Sequence, residues 1–148
     1  MSFSVDLGNF SNVLEEKLKR LERSVLIGVG ESVVERSPVG DPENWSVREP
    51  PDGYVGGRFR ANWQYGLSVR PLGDLPDIDA TGNVSKQRIN AGAAAIYNAG
   101  NVHYITNNLP YAEALENGWS QQAPNGMVEL TVLAWQPIVN ERARRINA

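Results

Sequence analysis

LGNFSNVLEEKLKRLERSVLIGVGESVVER, residues 7–36, decides the fold. Leu14, Leu18, Leu21, Val25, Val29 and Val33 recur at steps of three and four, which stacks them on one side of an α-helix. The charged residues of EEKLKRLER fill the other side, and Glu16 with Arg20 makes an i,i+4 pair in the favourable order. Gly28 and Gly30 weaken a helix by about 1 kcal/mol each against Ala, so they mark either close packing or a kink. Ser37-Pro38 ends the run, because the residue before proline avoids helical geometry.

Outward from this helix the pattern changes. Residues 38–57, rich in Pro and Gly, read as a loop longer than most connections in compact domains. Trp45 and Tyr54 within it either pin the loop to the body or face a partner. Asn62–Pro71 alternates Trp63, Tyr65, Leu67 and Val69 with polar residues and Gly66, the pattern of a strand with one buried face. The turn-rich GDLPDIDATGN, residues 73–83, ends it. Asn83–Asn98 predicts a second helix with a small, alanine-rich face, and Val102–Thr106 a short strand. Pro110 suits the first turn of a short helix through Asn117, closed by Gly118. A last helix runs from Met127 to Ile146, with Asn125 as its cap and Pro137 kinking or splitting it. A strand over 128–133 is the rival reading, since Val128, Leu130 and Val132 also alternate. The expected fold is α+β: one domain over residues 1–148, with a long N-terminal and a C-terminal helix packed on a small, mostly antiparallel sheet.

Composition removes several classes of function. The chain has 148 residues, 41% hydrophobic and 21% charged, with a net charge of −3, enough apolar content for a core and too little charge for whole-chain disorder. No apolar run approaches the roughly 20 residues of a membrane span. MSFSVDLGNFSN, the first twelve residues, lacks the pattern of a secretory signal. With no Cys there are no disulfides, Cys-ligated zinc or thiol catalysis, and one His excludes any scheme needing two. The acidic balance argues against nucleic acid as the main partner.

Chemical motifs are sparse. GVGES (28–32) and GYVGGRFR (53–60) lack the Gly-Lys-Ser/Thr ending of a phosphate loop and read as turn and packing glycines. Asp74, Asp77 and Asp79 crowd one loop but lack the Gly and Glu of a calcium loop, so a solvated turn is preferred to a metal site. Glu113 and Glu116 share a helix face and could be a hydrolase's carboxylates, although no cleft is evident. His103 reads as half-buried rather than as a base. Arg58 and Arg60, just before Trp63, have the chemistry of an interface hot spot or of an ordinary surface beside a core tryptophan.

Several phrases in order add a resemblance: SPVG at 37–40, GYVGGRFRANW at 53–63, and YITNNLPYAEALENGWSQQAPNGMV at 104–128. Together they resemble the tail-completion and head–tail joining proteins of long-tailed bacteriophages, from about residue 10 to 146. One departure is the stretch from Gly40 to Gly56, interposed where many relatives run directly from Ser-Pro-Val into Gly-Arg-Leu-Arg. The resemblance implies a noncatalytic virion protein, without cofactor or metal, that forms a ring, usually a hexamer, at the neck. Its implied partners are copies of itself, the tail tube protein and the head connector or head-completion protein. Genome DNA would pass through the lumen without specific binding, no membrane is involved, and assembly would occur in the host cytoplasm. Carried over are Arg58, Phe59, Arg60 and Trp63; Pro110, Tyr111, Ala112, Leu115, Glu116 and Gly118; and Pro124, Gly126 and Met127. Of these, Tyr111, Leu115 and Met127 are expected to maintain the fold, and Pro110, Gly118 and Gly126 to shape turns. The interface candidates are Trp45, Arg58, Arg60, Trp63, Glu116 and Trp119, with an Arg60–Glu116 ion pair within or between subunits. A tail terminator that sets tube length is the alternative role. A cell-wall hydrolase using Glu113 or Glu116 and a nucleic-acid-binding domain are the remote ones.

Overall fold

In the computed structural model, residues 3–41, 43, 49 and 52–148 are described, with side chains from residue 7 onward. The stripe quoted above becomes α1, Phe3–Arg36, 34 residues long and therefore about 50 Å from end to end. A body of this chain length has a radius of gyration near 15 Å, so such a helix must overrun it. It does: every residue from 7 to 18 is exposed, and only from Leu21 onward does the helix enter the protein. There, Leu26, Val33 and Val34 join Phe59, Trp63, Ile89, Ala93, Ile96, Leu109, Ala123 and Met127 in the core.

Gly28 and Gly30 mark close packing within one unbroken helix. A Cβ on Gly28 would stand 2.8 Å from Ile138, and one on Gly30 2.8 Å from Ile89. On the charged side, Lys19 bonds Glu16 at 2.7 Å, where the spacing predicted Arg20. At the far end the Ser37 hydroxyl donates to the Val33 carbonyl at 2.7 Å, and Pro38 follows.

The remaining elements are α2 (Arg58–Ala61), β1 (Trp63–Leu67), α3 (Asn83–Ala94), β2 (His103–Asn107), α4 (Ala112–Glu116), α5 (Val128–Leu133) and α6 (Trp135–Asn147). β1 and β2 form a two-stranded antiparallel sheet in which Trp63 faces Asn107 and Leu67 faces His103. α1 packs against α3 and α6, and α3 also covers β1. The molecule is a single mixed α+β domain with a long first helix, a C-terminal helix and a small antiparallel sheet.

Two element boundaries depart from expectation for physical reasons. The strand expected over 62–71 stops at Leu67, because Ser68 turns to φ 61° and its N–H bonds the Val102 carbonyl. Leu67 and Val69 consequently face solvent, whereas the supposedly wet Asn62 and Gln64 are buried. Asn62 bonds both the N–H and the carbonyl of Leu75, and Gln64 donates to the Gly73 carbonyl, so the acidic segment folds back over this face. The helix expected to reach Asn98 ends at Ala94 because Ile96 leaves the spiral and enters the core.

The last helix splits at Ala134. In a continuous helix the Pro137 ring would strike the carbonyl four residues back, at Leu133. The rival strand over 128–133 does not form. Its first turn is instead helical and capped from outside, by Glu116 and not by the expected Asn125.

Candidate functional site

Two places concentrate the residues of interest, and they do different work. The first is a joint built almost entirely from the phrases singled out in the sequence. Ser37 sits at its centre: its hydroxyl accepts the Trp63 indole N–H at 2.8 Å, and its carbonyl accepts Arg60 Nη2 at 2.6 Å. Arg60 also donates to the carbonyls of Glu35 and Ala80, so one guanidinium satisfies the end of α1 and the loop before α3. Burial pulls the Arg60 pKa down while Glu35 and Asp79 oppose the shift, and a guanidinium keeps its charge regardless. Gly57 lies beside this junction at φ 107°, where its N–H bonds the Val39 carbonyl and its own carbonyl accepts Ala61 and Asp79. A Cβ there would meet the Ala80 nitrogen at 2.4 Å, so the position needs glycine.

Glu116 performs the corresponding task at the other end of the joint. One carboxylate oxygen accepts the N–H groups of Met127 and Val128, and the other accepts that of Glu129, each at 2.9 Å. Burial alone would raise its pKa, but the three backbone donors outweigh that and hold it below the ordinary glutamate value. Gly126 makes the approach possible, since a Cβ on it would stand 2.5 Å from that carboxylate.

The expected Arg60–Glu116 pair therefore does not form within the chain: one group is spent on carbonyls and the other on N–H donors. Trp63, proposed as an interface residue, is 4% exposed and stacked edge-on against Phe59 in the core. Arg58 is on the surface and pairs with Asp74 at 2.7 Å. Trp119 is 83% exposed. Trp45 lies outside the described residues. As expected, Met127 is core, Leu115 packs against it, Tyr111 lies on Phe59, and Gly118 and Gly126 occupy positive-φ turns. The three aspartates go separate ways: Asp74 to Arg58, Asp77 to Arg88, and Asp79 to Thr81 and the Val84 N–H. Among the described residues no three His, Asp or Glu side chains converge as a metal set.

The second place was not foreseen. Leu18, Leu21, Val25 and Val29 form the floor of an apolar groove of about 890 Å³, with Trp135 and Val139 of α6 along one wall. The opposite wall is the 99–105 segment, where His103 stands between α1 and β1. A carboxylate can only accept, so the His103 Nε2–H donates to Glu22 at 2.6 Å. In the neutral imidazole, Nδ1 then accepts the Tyr65 hydroxyl at 3.0 Å. Glu22 also takes the Gly100 N–H. Burial would raise its pKa, and these donors bring it below the ordinary value. His103 is indeed half-buried, with both ring nitrogens engaged.

Beyond the groove the same stripe continues along the exposed part of α1 as Leu14, Phe10 and Leu7, with Val13 beside it; Phe10 is 64% exposed and Leu14 46%. At 100° per residue, positions 7, 10, 14, 18, 21, 25 and 29 fall within about a quarter of the helix circumference. The residues that enter the core from α1, Leu26, Gly30, Val33 and Val34, lie on a different side of it. The outward stripe is therefore the one read from the sequence, and of its residues only Val33 joins the core cluster; the sign that the rest would face outward was an apolar pattern in a helix too long for the body.

Compared with protein-family models, with curated proteins and with solved structures, the chain matches none of them. Among the described residues no helix is long and apolar enough to cross a membrane.

Proposed function

We propose that this chain is a structural subunit of a long-tailed bacteriophage particle, forming a hexameric ring at the head–tail junction that completes the tail and mediates head joining. The observation that carries the reading is the outward apolar stripe of α1 together with the groove into which it runs. A lone domain does not gain from exposing such a surface, and patches of this kind mark association sites. The projecting stripe and the walled groove are different surfaces, so a contact between them is of the heterologous kind that closes rings. The ordered motifs of residues 37–40, 53–63 and 104–128 support the reading as well. They build the joint that holds α1, the sheet and α5 together.

On this reading the neighbours are copies of the chain, the tail tube protein and the head connector or head-completion protein. The genome passes through the lumen unbound, and the protein resides in the virion neck after assembly in the host cytoplasm. A hydrolase built on Glu116 would need a free carboxylate, and both oxygens of that group are engaged by the backbone.

Electron microscopy of particles from a phage lacking this gene tests the proposal, with the same lysate examined after adding the purified protein. Filled heads beside unattached tails, rescued to joined virions, are expected. Overlong tails would move the role to a tail terminator. Normal infectious virions without the protein would contradict both.

A further inference from the structure

We propose that Asn125 is a site of spontaneous modification: its side-chain amide is lost through a cyclic imide closed by the Gly126 backbone nitrogen, and the resulting isoaspartyl link unseats the cap of α5. This chemistry requires neither the neck role nor a partner.

Asparagine is among the thermolabile side chains, most of all before glycine, which puts no side chain in the way of ring closure. The Gly126 nitrogen attacks the Asn125 side-chain carbonyl carbon, Cγ. A new C–N bond closes the ring, the amide C–N bond breaks, and its nitrogen leaves as ammonia with the proton of the Gly126 N–H. Water then opens the ring. Attack at Cγ gives aspartate; attack at the backbone carbonyl carbon gives isoaspartate, in which the chain runs on through Cγ.

The chain has two Asn-Gly pairs, at 117–118 and 125–126, and the fold separates them. Both asparagines are exposed. Both following N–H groups close a turn, Gly118 on the Leu115 carbonyl at 3.1 Å and Gly126 on the Ala123 carbonyl at 3.2 Å, so that bond must open in either case. The difference lies in the side chains. Asn117 Nδ2 donates to the Glu113 carbonyl at 2.9 Å, which turns its amide back along α4. Asn125 stands where a helix cap would, yet Glu116 takes the N–H groups of Met127, Val128 and Glu129. Among the described residues, nothing then holds the Asn125 amide by a hydrogen bond.

The glycine that opens Asn125 to this reaction is also the one the cap requires. Gly126 has φ 76°, and a Cβ on it would stand 2.5 Å from the Glu116 carboxylate. A side chain there would hinder ring closure, but the capping geometry forbids one. The same close fit makes the product disruptive. Isoaspartate adds one carbon to the backbone just before Gly126, and the next residue, Met127, is 1% exposed in the core with its N–H on Glu116. Length added beside contacts this close draws the N–H groups off the carboxylate.

To test this, full-length protein is incubated at mildly alkaline pH, folded or unfolded in guanidinium. Peptide mass spectrometry that resolves the two acid products then follows each Asn-Gly pair. In the folded protein, conversion at 125 should run roughly fivefold ahead of 117, the factor for opening one ordinary hydrogen bond. In the unfolded chain the two rates should converge. Protein aged until position 125 is largely converted should melt lower than fresh protein. Asn125→Gln, whose longer side chain disfavours the ring, should keep its melting temperature over the same interval.

Asn117 converting as fast as Asn125 in the folded protein, or neither converting, overturns the proposal. So does a lead at 125 that survives unfolding, since flanking residues and not the fold would then cause it. An unchanged melting temperature in the converted protein, or an equal loss in aged Asn125→Gln, overturns the link to the α5 cap.

Discussion

The two halves of α1 both carry apolar residues at helical spacing, on different sides of the helix, and meet opposite fates. Residues 25–34 bury Val25, Leu26, Val33 and Val34, whereas Leu7, Phe10, Val13, Leu14 and Leu18 stand in solvent. Periodicity identifies which side of a helix avoids water, because that depends only on the 3.6-residue turn. It does not identify the molecule that covers the side. That depends on how far the rest of the chain reaches, and here the body ends near Leu18. The lesson applies to interface residues as well. Arginine, tryptophan and glutamate were natural choices by type, but three of those selected are consumed by the subunit itself: Arg60, Trp63 and Glu116.

The comparison can be broken most forcefully from its buried side. Leu26→Ala should cost about 2–5 kcal/mol, lowering the melting temperature by about 2–4 °C per kcal/mol, as measured by calorimetry. A smaller loss would mean that the inner half of α1 is less tightly packed than its burial indicates.

Next in size is the capping carboxylate that anchors α5 beside this core. Glu116→Ala should cost about 1–3 kcal/mol, since it strips three N–H groups of a charged acceptor. The pH dependence has a definite sign. The folded-state pKa lies below the unfolded one, so the stabilisation is fully present above the ordinary glutamate value and disappears as pH falls through the lowered folded value. Denaturant melts across that acidic window should show the wild-type advantage over Glu116→Gln shrinking as acid is added. An advantage that stayed constant would assign Glu116 a packing role instead.

The smallest effect on the subunit sharpens the comparison. Leu14→Ala should change the unfolding free energy of the dilute protein by less than about 0.5 kcal/mol, in contrast to Leu26→Ala on the same helix. Equal costs at the two positions would mean that the outer half is also covered within the monomer.

Much of the architecture was readable from residue order because it rests on local rules. The stop at Ser37-Pro38, the break imposed by Pro137 and the presence of strands near 63–67 and 103–107 follow from backbone chemistry, whereas the pairing of those two strands with each other was not read from the sequence. What escaped reading depends on contacts distant in sequence. Asn62 and Gln64 look solvent-facing until the Gly73–Leu75 backbone closes over them. Asn125 looks like a cap until Glu116, eleven residues before Met127, takes the same donors. The groove joins α1, the 99–105 segment and α6, which no local pattern brings together. Of the candidate site, the Arg60–Trp63–Ser37 joint was legible as a set of residues but not as an internal one.

Hydrogen exchange along α1, followed by mass spectrometry from dilute to concentrated protein, tests the central claim most directly. Amides of residues 7–18 should exchange rapidly in the dilute protein and become protected as it associates, while residues 25–34 stay protected throughout. An outer half already protected in the dilute monomer, or unprotected in the assembled protein, would contradict the account.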